Sequence, residues 1–259
     1  MRPGTAPLSV SLVIPMFNEE ANIEHALACA EEVLEQIGGD YEILIVNDAS
    51  TDRSAELVTA AAEHNPRIRM LCHETNRKLG ASLKTGFAAA VKELVLYMDA
   101  DLPFDPWEIG RAMRALEVTR ADMVAGYRHD RTTEGLLRTI YSYCYNTLIG
   151  LLFGWPHRDI NFSFKLMRRE VLAAVDLKSE GSLIDAELVV KAKNLGFSIQ
   201  QLGLDYFPRT RGTSTLSSPA VIWKMLRELV ALYPEMRHPR RRSAGTTPES
   251  TSDAFQPSP

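Results

Sequence analysis

The sequence predicts an α/β domain built on a mostly parallel sheet with helices on both faces. Apolar runs of strand length recur at residues 10–14, 41–46, 68–72, 94–98 and 123–125. Amphipathic stretches of helix length separate them, and strands alternating with helices form right-handed βαβ units. Each of the first four runs also empties into a polar segment rich in acids and amides. Ligands on such a sheet bind beyond the carboxyl ends of its strands.

The first helix is predicted over 23–37, where Ile23, Leu27, Ala30, Leu34 and Ile37 keep helical spacing and Gly38-Gly39 ends the run. Helices also fit 52–64, 80–92 and 105–117. The second half is less regular. Residues 136–155 are apolar and aromatic, broken by Arg138, Ser142, Asn146 and Thr147, and read as an interfacial helix pair. An extended piece at 161–167, a helix at 183–195, a strand at 197–204 and an amphipathic helix at 221–233 follow. Pro, Ser and Thr then dominate without periodicity. The expected organisation is a catalytic domain over 8–215, a C-terminal amphipathic helix within 216–236 and a disordered tail over 237–259.

At 259 residues with a formal charge of −4, the chain can bury a full core and lacks the basic surface of a nucleic-acid binder. Cys29, Cys72 and Cys144 are isolated in apolar contexts and read as core residues of a reducing compartment. The N-terminus lacks signal-peptide character, and no apolar stretch reaches the roughly 18 to 20 residues of a membrane span. The expected location is cytoplasmic, with peripheral contact at a membrane face. There, the helices and Arg237, Arg240, Arg241 and Arg242 would meet lipid; the alternative is helices packed into the core and a solvated basic run.

The most informative stretch is Tyr97-Met98-Asp99-Ala100-Asp101-Leu102-Pro103. On an extended segment residues i and i+2 share a side, so Asp99 and Asp101 are presented together at the mouth of a buried strand. Like charges so close call for a cation between them, and a hard divalent ion with oxygen ligands fits. The alternative is a turn that caps the next helix. The other three post-strand segments are 15–20, 47–52 and 76–80. Asn18 reads either as a site residue or as a cap of the first helix, and Ser50 and Asp52 as caps of the second.

Together, 10–20 (a strand followed by Pro-x-x-Asn-Glu-Glu), 47–52, 76–86 and Asp99–Asp101 resemble, in order and spacing, a family-2 glycosyltransferase. The branch they are most similar to is the dolichyl- and polyprenyl-phosphate sugar synthases, over roughly residues 8–215. The resemblance implies the A-type glycosyltransferase fold, inversion at the anomeric carbon and a Mg²⁺ or Mn²⁺ ion. It implies that Pro15, Glu19 and Asp48 cradle the base and ribose, and that Asp101, helped by Asp99, holds the metal. Asp159 matches the acceptor-side acid and Asp185 another acidic position, although Ser182-x-x-Asp185 is also a capping box. Three positions depart from the pattern. Asn47-Asp48-Ala49-Ser50 stands where Asp-Asp-Gly-Ser is frequent, Pro103 stands where Gln is frequent, and Thr215 stands where a lysine is common.

Displacing a nucleoside diphosphate needs charge neutralised on the leaving group. Arg209 and Arg211, after the last strand and beside Gly212, offer guanidinium forks suited to phosphate, or are two solvated arginines. Lys84 is a weaker phosphate candidate on a helix face. The expected reaction moves a hexose from a GDP- or UDP-linked sugar to a polyprenyl phosphate. The alternatives are a soluble or cell-envelope carbohydrate acceptor, or an inactive nucleotide-sugar-binding regulator.

Overall fold

The computed structural model describes residues 8–130, 136–154, 157–207 and 219–242. In chain order the elements are β1 (Val10–Met16), α1 (Ile23–Ile37), β2 (Tyr41–Asn47), α2 (Ser54–His64), β3 (Ile68–Cys72), α3 (Lys78–Ala89), β4 (Leu94–Met98) and α4 (Glu108–Thr119). There follow β5 (Met123–Arg128), α5 (Leu136–Phe153), β6 (Phe164–Arg168), α6 (Arg169–Ala174), α7 (Ile184–Asn194), β7 (Ile199–Leu204) and α8 (Pro219–Arg237).

The seven strands form one sheet in the order β3-β2-β1-β4-β6-β5-β7. The pairs β1/β2, β1/β4, β2/β3 and β5/β7 are parallel, and β6 runs antiparallel between β4 and β5. Successive strand residues face opposite sides, so two cores result. On one side Leu12, Ile14, Ile43, Ile45, Leu96 and Met98 meet α1, α2 and α4. On the other Val13, Leu44, Val46, Val95 and Tyr97 meet α3, α6 and α7. With both faces covered, β1, β2 and β4 read as continuous apolar runs, which is why they stand out in the sequence.

Where the elements differ from the sequence reading, long-range contacts explain it. Helix α3 starts at Lys78, two residues earlier than expected, because the Asp48 carboxylate takes the backbone N–H groups of Arg77 and Lys78. An acid from another loop thereby satisfies donors that a helix start leaves open. The stretch 136–155 does not fold as a pair of helices. Its described part is one helix, α5, and its partner is α8: Phe153 and Tyr233 rings lie 5.5 Å apart, and Arg237 donates to the Leu152 carbonyl. Helix α6, six residues long, is an addition to the sequence reading. Cys72 ends an edge strand and Cys144 lies on α5; both are exposed, not core residues, and Cys29 is half-buried. Among the described residues no helix is long and apolar enough to cross a membrane. Residues 238–242 continue past α8 as coil, with Arg242 N–H donating to the Ala174 carbonyl, and Arg241 lies over the Phe197 ring. Residues 243–259 of the expected tail lie outside the described residues.

Candidate active site

The parallel strands β1, β2 and β4 end on one edge, and the segments that follow them are stitched together. Asn18 N–H donates to Ser50 Oγ (3.0 Å), Glu19 N–H to Ser54 Oγ (2.8 Å) and Glu20 N–H to Asp52 Oδ2 (3.1 Å). In return, Thr51 N–H donates to Asn18 Oδ1 (2.8 Å) and Arg53 N–H to Glu20 Oε2 (3.1 Å). Asn18 therefore ties two loops and caps no helix; its φ of 56° is left-handed, which asparagine tolerates well. Asp52 does serve the start of α2, accepting from Ser54 N–H (3.0 Å). Pro15 lies on β1 opposite Val46. Glu19 accepts from the Asn22 amide (2.7 Å) at the start of α1.

Asp48 is the hub of this edge. It is buried, and its carboxylate accepts from Arg77 N–H (2.8 Å) and Lys78 N–H (2.8 Å) and meets His73 Nδ1 (2.7 Å). The other nitrogen of His73 meets Thr85 Oγ1 at 2.9 Å. One acid thus joins the post-strand segments of β2 and β3 to α3. Sequence reading passed over His73; its place at the end of the third strand, on the ligand-binding edge, was the available signal. Lys84 lies on α3 and donates to the Lys178 carbonyl (3.3 Å), in the segment that packs on the start of that helix.

Asp99 and Asp101 leave β4 at the same edge, both half-buried, with Leu102 strained at φ 47° just beyond them. Among the described residues no three His, Cys, Asp or Glu side chains form a complete metal site. Two carboxylates suit a hard divalent ion chemically, and such an ion would draw the rest of its shell from water and ligand phosphates.

The antiparallel register sets Met98 opposite Phe164, which carries residues 159–163 out beside the acidic pair. Phe104 packs edge-on against Phe162 and Phe164 and holds the two segments together. Asp159 is 1% exposed and pairs with Arg128 (3.3 Å), whose guanidinium lies over the rings of Phe162 and Tyr206. Asp159 N–H donates to His157 Nδ1 (3.2 Å). Burial depresses the His157 pKa to about 3, Lys165 adds to the shift and Asp159 opposes it. Asp185 is also buried and pairs with Lys165, which donates in addition to the Phe162 carbonyl (2.7 Å). Burial pushes the Asp185 carboxyl up from its ordinary value while Lys165 opposes. The capping box at 182–185 does not form, since no side chain caps α7. Arg128 was missed in the sequence, although it ends β5 at the same sheet edge.

Between the middle of α5 and the N-terminal half of α8 lies a cavity of about 310 Å³. Tyr141, Cys144, Leu148, Ile222, Met225 and Leu226 make its lining mainly apolar, and Arg128, Asp159 and Asn161 also line it. Arg209 and Arg211 lie outside the described residues.

Residues 11–175 match the family model described as Glycosyl transferase family 2. A dodecaprenyl-phosphate galacturonate synthase of Rhizobium johnstonii is 31% identical over 176 residues, 67% of this chain and 52% of the relative. An undecaprenyl-phosphate 4-deoxy-4-formamido-L-arabinose transferase of Pectobacterium carotovorum subsp. carotovorum is 33% identical over 169 residues, 64% of this chain and 51% of the relative. The chain spans about half the length of these two curated relatives. Among solved structures, a glucosyl-3-phosphoglycerate synthase from Mycobacterium tuberculosis, in complex with Mn²⁺, uridine diphosphate and phosphoglyceric acid, superposes with a TM-score of 0.68 at 18% identity. The match covers 91% of this chain and 80% of that one, and it speaks to the fold.

Proposed function

The chain belongs to glycosyl transferase family 2, and on that footing we propose that it moves a hexose from a GDP- or UDP-linked donor to a polyprenyl phosphate, with inversion. The observation that carries the acceptor class is the cavity between α5 and α8, mainly apolar in its lining but with Arg128 and Asp159 among the lining residues. An isoprenoid tail matches the apolar part of such a lining, and a charged headgroup matches its polar residues. The named acceptors of the two bacterial relatives, dodecaprenyl phosphate and undecaprenyl phosphate, support the same class.

In this reading Pro15, Asn18 and Glu19 border the nucleoside. Asp48 shapes its pocket through His73 and the Arg77–Lys78 backbone. Asp99 and Asp101 would hold Mg²⁺ or Mn²⁺, which when bound neutralises charge on the departing diphosphate. Arg209, Arg211 and Lys84 are proposed to share in gripping that diphosphate. A lipid phosphate is already an anionic nucleophile, so the acceptor side has to position it more than deprotonate it. Its oxygen attacks the anomeric carbon from the face opposite the nucleotide, and the bond from that carbon to the diphosphate breaks. Asp159, through Arg128, orients the acceptor. Asp185 acts through Lys165, which also holds the Phe162 carbonyl and so sets the 159–163 segment.

Trp223 and Val230 of α8, with Tyr143 and Leu151 of α5, are each more than 70% exposed and supply a face for peripheral membrane contact at the cytoplasmic side. The test is transfer of labelled sugar from GDP- and UDP-sugars in the presence of Mn²⁺ and polyprenyl phosphate. The label is expected in the organic phase after extraction. Label confined to water-soluble product would contradict the lipid acceptor.

A further inference from the structure

Among the residues that line the α5/α8 cavity, two carry buried hydrogen-bonding atoms with no partner among the described residues, Tyr145 Oη and Asn161 Oδ1. Both residues line the cavity, one from α5 and the other from the segment before β6. A buried hydroxyl or amide left without a partner costs about 1–3 kcal/mol, so two in one cavity point to a ligand that supplies the missing bonds. The apolar part of the same cavity needs no such ligand atoms.

We propose that Tyr145 and Asn161 form the recognition pair for the phosphate monoester of the acceptor, distinguishing an isoprenyl phosphate from the corresponding alcohol. This rests on the proposed transfer to a lipid phosphate and names the residues that read its headgroup. The tyrosine hydroxyl donates to a phosphate oxygen. The asparagine amide, turned about its last torsion, exchanges its oxygen for an NH₂ group and donates as well.

Each acid near the pair has a partner of its own. Asp159 is compensated by Arg128 (3.3 Å) and Asp185 by Lys165. Glu228, the other acid near the tyrosine, accepts from Ser179 Oγ (3.0 Å) and lies 3.9 Å from Lys224. Burial, with Asp185 and Glu228 nearby, raises the Tyr145 pKa and keeps the hydroxyl a donor. Both residues act by binding and positioning; neither is proposed to exchange a proton with the acceptor.

The test compares binding of farnesyl phosphate and farnesol to the full chain by calorimetry, for wild type, Tyr145→Phe and Asn161→Ala. Wild type is expected to prefer the phosphate by tenfold or more. Each variant is expected to lose about tenfold in affinity for the phosphate while its affinity for the alcohol is kept, as for removal of one hydrogen bond to a charged group. Equal affinities of wild type for the two ligands, or an unchanged preference in both variants, would overturn the pair. If Tyr145→Phe fails to fold, Asn161→Ala decides the matter. Metal-dependent nucleotide-sugar binding, measured on the same samples, tests the transferase reading separately: donor binding together with a phosphate preference that both variants keep rejects the pair alone, whereas no preference in wild type rejects the pair and the lipid-phosphate acceptor together.

Discussion

Ala49 holds φ at 62°, a left-handed conformation that costs a residue with a Cβ about 1–2 kcal/mol. The turn needs it: Asn47 Oδ1 accepts from Ser50 N–H (2.9 Å), which swings the next side chain, Asp48, inward towards α3. Ala49→Gly removes the steric cost, partly offset by a looser unfolded chain. It is expected to raise stability by about 0.5–1 kcal/mol in denaturant unfolding, and a loss of stability would contradict the strain. The sequence made this position legible only by comparison, as an alanine where the resembling family often has glycine. The acidic pair was legible on its own, because the two-residue spacing and the strand before it are local. The partners of Asp48 were not, since His73, Arg77 and Lys78 lie 25 to 30 residues away and meet it only in the folded sheet. Asp185 was legible only as a choice between a site residue and a local cap, because its partner Lys165 lies twenty positions away.

Helix α3 docks through its glycines. A Cβ on Gly80 would stand 2.5 Å from the Ser179 carbonyl oxygen and 2.7 Å from the Glu180 carbonyl carbon, both backbone atoms unable to swing aside. The Gly80 N–H also donates to the Glu180 carbonyl (2.9 Å). Gly80→Ala should therefore cost about 2 kcal/mol net, overriding the roughly 1 kcal/mol that alanine gains in a helix. Thermal melts check this, and a more stable variant would contradict the packing. Periodicity placed α1, α2, α4 and α7 well because each buries one stripe or lies against the sheet. It also found α8, expected over 221–233, and was weaker for α5, whose apolar residues divide between a protein partner, a cavity and exposed faces. Without a single burial direction the pattern reads as two short interfacial helices, where one long helix paired with a distant one forms instead.

Considered together, the sheet, its edge loops and the α5/α8 pair make stability depend on pH through a buried histidine. His157 keeps its Nδ1 as an acceptor for Asp159 N–H, and protonation there would set one N–H against another. Its pKa is near 3 folded and near 6.5 unfolded, so between these values the unfolded chain binds the extra proton. The contribution is present in full above about pH 6.5 and is lost as pH falls towards 3. Between pH 7 and 5 this single group should cost about 2 kcal/mol. Urea unfolding at both pH values is expected to show that loss in wild type and a much smaller one in His157→Gln; equal slopes would contradict it. The class of fold and the acid-rich sheet edge are legible in the sequence, since both follow from runs of strand length and what comes after them. The proposed acceptor side is legible only in part. Its cavity is built from α5, α8 and the 157–163 segment, and no spacing in the chain announces that they meet.

Nucleoside diphosphate release decides whether the acidic edge and the apolar cavity serve one reaction. With Mn²⁺, a GDP- or UDP-sugar and an isoprenyl phosphate, wild type is expected to release the diphosphate only when the lipid phosphate is added. Asp101→Ala, verified as folded by its melting curve, is expected to release none. Full release by that variant, or release indifferent to the lipid phosphate, would contradict the account.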